Sequence, residues 1–172
     1  SANGNYFATV GGGAFNNASG PGSTVGGGGS NVAGKVCFGG GPNVRSPCES
    51  NADCIAPGTC STASAMFATV GGGQDNKASG DRSTVGGGVT NTASGSNCTV
   101  GGGEGNTAAG YRSTVGGGYN NSATSTSHAA TVAGGNSNTA SKDFSTVGGG
   151  VFNDATGINS TVGGGVRNTA GK

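Results

Sequence analysis

The side chains able to hold a metal, form a disulfide or attack a substrate are few in this chain, and they are unevenly placed. Of five Cys in 172 residues, Cys37, Cys48, Cys54 and Cys60 share one stretch, spaced C-x10-C-x5-C-x5-C. Structural zinc sites bring ligands in pairs at C-x2–4-C, and no such pair occurs here. With Pro42, Pro47 and Pro57 between them in a polar setting, the four read as a two-disulfide loop rather than a metal site. Spacing alone does not choose among the possible pairings. A disulfide loop places the chain in an oxidising, extracellular environment. The fifth Cys, Cys98, has no neighbour in sequence. It reads as a small core residue, or alternatively as a free thiol that bonds another copy of the chain.

The ingredients of catalysis are thin. A nucleophile triad needs a His, and His128 stands alone among Ser and Thr. Glu49, Asp53, Asp75, Asp81, Glu104, Asp143 and Asp154 are isolated from one another, without the paired acids or E-x-x-H spacing of general acid–base or metal sites. Neither the G-x-x-x-x-G-K-[ST] phosphate loop nor the calcium-binding G-G-x-G-x-D nonapeptide occurs. The expectation is a protein that is not an enzyme and carries no cofactor or metal. Eight basic and seven acidic residues are scattered to a net charge of +1. That builds no field for nucleic acid. No apolar run approaches the roughly 18–20 residues of a membrane span. The chain opens without a secretory leader, which leaves a cytosolic protein, a mature form or an excised piece.

What positions these residues is a repeat. Val10, Val25, Val70, Val85, Val100, Val115, Val132, Val147 and Val162 each follow a Thr. Six of the eight intervals are 15 residues, one is 17 with extra residues around Ser125–Ala129, and one is 45 and contains the Cys-rich stretch. With Val as position zero, Thr stands at −1 and Gly at +2 and +3 in all nine units. Gly also stands at +1 in every unit except the one holding Ala133. Asn16, Asn31, Asn76, Asn91, Asn106, Asn121, Asn138, Asn153 and Asn168 occupy +6, and Ala occupies +8, from Ala18 to Ala170. The 41 glycines are therefore phased, which separates the chain from disordered Gly-rich linkers.

Fifteen residues are too few for a helical-hairpin repeat, which needs about 33, and triple glycine opposes helix. Collagen needs Gly at every third position. The remaining solution is all-β: a parallel β-solenoid, or β-roll, of 15-residue coils with two short strands and two turns each. Side-chain alternation sends Val and position −2 (Ala, Ser or Cys98) inward and Thr outward. The organisation expected is solenoid repeats over 1–35, a Cys-rich insert over 36–65 that begins as a degenerate coil, and solenoid repeats over 66–172. Each Asn at +6 either stacks on the next in a side-chain ladder or supports a left-handed turn. The ladder is the favoured reading.

Each coil offers one Val and one Ala to its interior. So thin a core predicts self-association, with a homotrimer favoured and Gly-rich strands allowing close approach. The units Ser83-Thr84-Val85-Gly86-Gly87-Gly88 and Ser113-Thr114-Val115-Gly116-Gly117-Gly118, each followed by N-x-A, resemble the head repeats of trimeric autotransporter adhesins, the YadA-like or haemagglutinin-type head. The resemblance covers about residues 1–35 and 66–172. It implies a trimeric left-handed β-roll and an adhesive or structural protein at the cell surface. The triple glycine departs from that family, which has an apolar residue there, and the chain lacks the family's neck, coiled-coil stalk and barrel anchor.

The array starts and stops within units, with no polar cap at either end. That fits a segment of a longer fibre or a subunit stacking into a filament. The function expected is an extracellular structural or adhesive fibre whose surface or matrix ligand the sequence leaves unnamed. Two alternatives use the same fold. One is ice binding through the outward Thr rank, and the other is a phage tail-fibre segment. Tyr6, Phe7, Phe67, Tyr111 and Phe144 precede Val by three or four residues, which places them at a turn.

Overall fold

A computed structural model describes residues 7–34, 65–124 and 128–171, and the backbone of two further strands, Val36–Phe38 and Arg45–Pro47. The described repeat is an all-β parallel solenoid. Coils are numbered 1 to 9 here by their Val residues, from Val10 to Val162. The Thr–Val strands, Thr9–Val10 through Thr161–Val162, form one nine-stranded parallel sheet. The strands ending in the +8 Ala, Asn17–Ala18 through Thr169–Ala170, form another. Register is one to one throughout, with Thr99 beside Thr84 and Thr114, and Val100 beside Val85 and Val115. A line of parallel bridges at +4, from Ala14–Gly29 to Val151–Val166, joins the coils along the turn between the two sheets.

The core is a set of columns. Val25, Val70, Val85, Val100, Val115, Val132 and Val147 are fully buried, as are the +8 Ala residues from Ala33 to Ala155. Position −2 closes the interior with Ser23, Ala68, Ser83, Cys98, Ser113, Ala130 and Ser145, all at 0% exposure. Thr at −1 faces out, half-buried or exposed in every coil. Each apolar column is one side chain wide, so stability is gained coil against coil.

The long interval resolves into one ordinary coil and an excursion. Coil 2 stacks directly on coil 3: Val25 pairs with Val70 and Ala33 with Ala78, and Thr24 N donates to Ala68 O at 2.8 Å. The chain leaves the stack after Gly34 and is back in it at Ala65, whose carbonyl accepts from Ser23 Oγ at 3.4 Å. The Cys37–Phe38 segment, expected to begin a degenerate coil, instead pairs antiparallel with Arg45–Pro47. An antiparallel hairpin has no place in a parallel ladder, so it cannot add a rung. The 17-residue interval before Val132 does not shift the register, since Val115 still pairs with Val132 and Ser122 with Thr139.

Both turns run through left-handed backbone. Position +5 has φ of 51–57° at Phe15, Ser30, Asp75, Thr90, Asn120, Ser137, Phe152 and Arg167, and 67° at Gly105. Position −3 has φ of 47–58° at Phe67, Arg82, Asn97, Arg112, Ala129, Phe144 and Asn159. A non-glycine residue in this region costs about 1–2 kcal/mol, and the stack holds it there because the flanking amides are bonded to neighbouring coils. Thr90 N, for example, donates to Gln74 O at 2.9 Å. Glycine is required most strictly at +3. Gly103 has φ +86°, and a Cβ there would fall on the Gly118 carbonyl and within 2.7 Å of Asn106 Nδ2.

Two outcomes follow, both read from the midpoint of urea unfolding. Gly103→Ala lowers stability by about 2 kcal/mol or more, whereas Gly101→Ala costs less, because Ala133 already stands at that place in coil 7. Thr90→Asn raises stability by about 0.5–1 kcal/mol, because a β-branched residue gives up a left-handed position to one that tolerates it.

Candidate functional site

Among the described residues the most densely bonded side chains are the nine asparagines at +6. Asn31, Asn76, Asn91, Asn106, Asn121, Asn138 and Asn153 are at most 1% exposed. None of the nine has positive φ; the left-handed residue is the one before. Their amides clip successive coils together. Asn106 Oδ1 accepts from the backbone N of Asn121 at 2.9 Å and from its Nδ2 at 3.2 Å. Asn106 Nδ2 donates to Gly102 O in its own coil and to Gly118 O in the next, each at 2.8 Å. The same pattern runs from Asn16, whose Oδ1 accepts from Asn31, to Asn168, which donates to Asn153 Oδ1.

Only an amide meets these demands. The oxygen faces N–H donors and the nitrogen faces carbonyls, so a carboxylate would oppose acceptors, and an alkyl group would strand the next Asn's backbone N–H and the +2 carbonyl. The +3 glycine supplies the carbonyl that Nδ2 reaches and, lacking Cβ, leaves room for the Asn. Residues +3 and +6 form one device.

Cys98 is a free, fully buried thiol in the −2 column. Its Sγ lies 2.7 Å from Gly110 O of the next coil. Ser83 and Ser145 donate to the carbonyl three residues back, Gly80 O and Lys142 O. For Ser113 the corresponding carbonyl is Gly110 O, the one Cys98 faces, and Ser113 Oγ is buried without a partner. Burial pushes the Cys98 thiol up, outweighing backbone hydrogen bonds that act the other way. A side chain so enclosed behaves as a core residue. Of the other cysteines, Cys48, Cys54 and Cys60 lie outside the described residues, and of Cys37 only the backbone is described.

The turn before the Thr–Val strands carries the less regular side chains. Asp81 Oδ1 accepts from Met66 N at 3.1 Å and Asp143 Oδ1 from His128 N at 3.0 Å, each tying its turn to the coil before. The His128 ring meets Tyr111 edge-on with centroids 5.7 Å apart, and lies within 9° of parallel to Phe144 at 6.1 Å. Arg112 sits 4.7 Å from the centroid of Tyr111. The carboxylates Asp75, Glu104 and Asp154 fall on separate coils. Among the described residues no three His, Cys, Asp or Glu side chains are grouped to hold a metal ion, and no helix is long and apolar enough to cross a membrane.

The Thr hydroxyls at −1 form a continuous outward rank beside the Gly +1 column. No hydrogen bond from these nine hydroxyls to the described chain is found. No protein-family model matches this chain, and no curated protein matches it.

Asn106→Ala strands the backbone N–H of Asn121 and the Gly102 carbonyl, while Gly118 O keeps its bond from Glu104 N, and costs about 2–4 kcal/mol in urea unfolding. Asn106→Asp costs more, because its second oxygen faces Gly102 O and Gly118 O. Cys98→Ala stays within about 1 kcal/mol of the parent, because Ala68 and Ala130 fill the same position and Gly110 O is freed for Ser113. The sign for the parent thiol is set by its raised value: the folded state keeps the proton longer than the unfolded one. Stability therefore falls as pH rises past the ordinary thiol range, and Cys98→Ala removes that alkaline loss. Both are read from unfolding midpoints at pH 7 and pH 10.

Proposed function

We propose that the chain is a structural rod, one subunit of a self-associating extracellular or cell-surface fibre with an adhesive role. The observation that carries this reading is the unbroken register of nine coils, which lines up nine outward Thr beside a +1 column of eight Gly and Ala133. At about 4.8 Å per rung the nine coils extend about 38 Å. The buried columns are one side chain wide, so packing sister chains against the rod would remove from water the Thr methyl groups and the exposed aromatic and aliphatic side chains of its edges, such as Val89, Tyr119 and Phe152. A homotrimer is the arrangement proposed, and end-to-end stacking would make it a filament. The likeness of the S-T-V-G-G-G and N-x-A units to trimeric autotransporter adhesin heads supports the same reading, as does the Cys-rich stretch if its cysteines pair in an oxidising setting. The phage tail-fibre alternative shares this architecture.

A second reading draws on the same rank. Nine Thr hydroxyls, unspent on the described chain and repeating at rung spacing, resemble one of the two parallel ranks that solenoid ice binders usually present, with Gly or Ala133 at +1 in place of the second, and ice binding is kept beside the fibre reading on that rank. A thermal-hysteresis assay separates them, since only an ice binder depresses the freezing point below the melting point.

The decisive experiment is light scattering at micromolar concentration with micrographs of the same material. The parent chain scatters as a trimer or longer rod. Thr84→Lys with Thr114→Lys, which sets charges on the outward face of the first sheet, returns monomers with an unchanged circular dichroism spectrum. A parent chain that is a stably folded monomer sinks the proposal.

A further inference from the structure

Most surface positions in this repeat are occupied by whatever the fold allows, but the turn before the Thr–Val strands departs from consensus in a concentrated way. Arg82 on coil 4, Arg112 on coil 6 and Lys142 on coil 8 are exposed, and none has a carboxylate partner among the described residues. They stand on alternate coils, about 10 Å apart along the rod at about 4.8 Å per rung. Between them, on three consecutive coils, lie Tyr111, His128 and Phe144; the His128 side chain and Phe144 are each 55% exposed. The two acids on this edge, Asp81 and Asp143, each turn one oxygen to a backbone N–H of the preceding coil, and the other Asp143 oxygen lies 3.9 Å from His128 Nδ1.

We infer that this turn edge, with Arg82, Arg112 and Lys142 spaced along it and Tyr111, His128 and Phe144 among them, is a binding surface for an extended acidic polysaccharide with one carboxylate per disaccharide. The inference gives the adhesive role proposed above a ligand class, and it rests on that reading. Cations on every second rung match a polymer that presents charge once per two sugars. Guanidinium and ammonium groups take carboxylates directly, and exposed rings offer apolar faces to the C–H faces of sugars between the charges. The left-handed residues at −3, Arg82, Arg112 and Phe144, are pinned by coil-to-coil hydrogen bonds, so the spacing is set before the ligand arrives and little ordering cost remains. A nucleic acid is a poorer fit. It carries a phosphate at every nucleotide, and one cation per two rungs leaves most of that charge uncompensated.

The test uses the full chain and immobilised hyaluronan, with carboxyl-reduced hyaluronan and dextran as neutral polymers and poly-deoxythymidine as a second polyanion. Binding to hyaluronan is expected at low salt, falling as salt rises, and at least tenfold weaker for both neutral polymers and for the polynucleotide. Arg112→Asn, which places at this turn the residue coil 5 has in Asn97, combined with Phe144→Ala weakens binding by about tenfold. Arg167→Asn, on the opposite edge, leaves it unchanged, and unfolding midpoints confirm that all variants are folded. Equal binding to the carboxyl-reduced polymer, tighter binding to the polynucleotide, or equal losses from the two edges overturns the inference. Light scattering on the same samples separates it from the fibre reading. A monomer that binds hyaluronan upholds this surface and sinks the fibre, whereas an oligomer indifferent to hyaluronan overturns the surface alone.

Discussion

The rest of this structure depends on a side-chain amide that belongs to two coils at once. A backbone ladder alone tolerates slippage, because every peptide group resembles every other and a Gly-rich strand has little to specify its partner. The Asn at +6 removes that freedom. Its oxygen receives the backbone N–H of the next Asn and its nitrogen reaches the next coil's +3 carbonyl, so a shift by a single residue breaks several buried hydrogen bonds together. Buried polar groups cost most when half satisfied, and that penalty enforces register here more strongly than the narrow Val and Ala columns do.

From register follow the other properties. Equal coils place Thr above Thr, so the outward face is regular without any local requirement for Thr. The turns are held in left-handed backbone at residues as different as Phe, Arg, Thr and Ala, which shows the stack dictating the turn. Longer intervals leave the rungs intact: 30 residues separate Gly34 from Ala65 and two extra precede Val132, yet the coils on either side pair in register. A solenoid whose neighbours interact only through matching rungs can carry such loops at low cost.

The rungs were legible in the sequence because each element of the clip is a residue with no substitute. Val, Asn, Ala and the +2 and +3 glycines recur in phase, and their types state which face they take. The turn conformation was not legible, since positions +5 and −3 hold no consistent residue; their geometry is imposed by hydrogen bonds from adjacent coils. The Cys37–Phe38 segment misled because its Gly run copies the repeat while its pairing is antiparallel. The roles of Asp81 and Asp143 in tying one turn to the coil before depend on stacking two coils, and neither stands in any motif. The orphaned Ser113 hydroxyl arises from its neighbour Cys98, a pairwise effect between coils that a one-dimensional reading does not display.

The central claim is that the asparagine amides, buried and bonded on both sides, hold the coils in register. Hydrogen exchange of those side chains by NMR tests it most directly. The account predicts that the Nδ2 protons of Asn76, Asn91, Asn106 and Asn121 exchange as slowly as the backbone amides of the Thr–Val strands beside them. Nδ2 protons exchanging at the rate of a solvent-exposed asparagine, in a chain whose backbone amides remain protected, would contradict it.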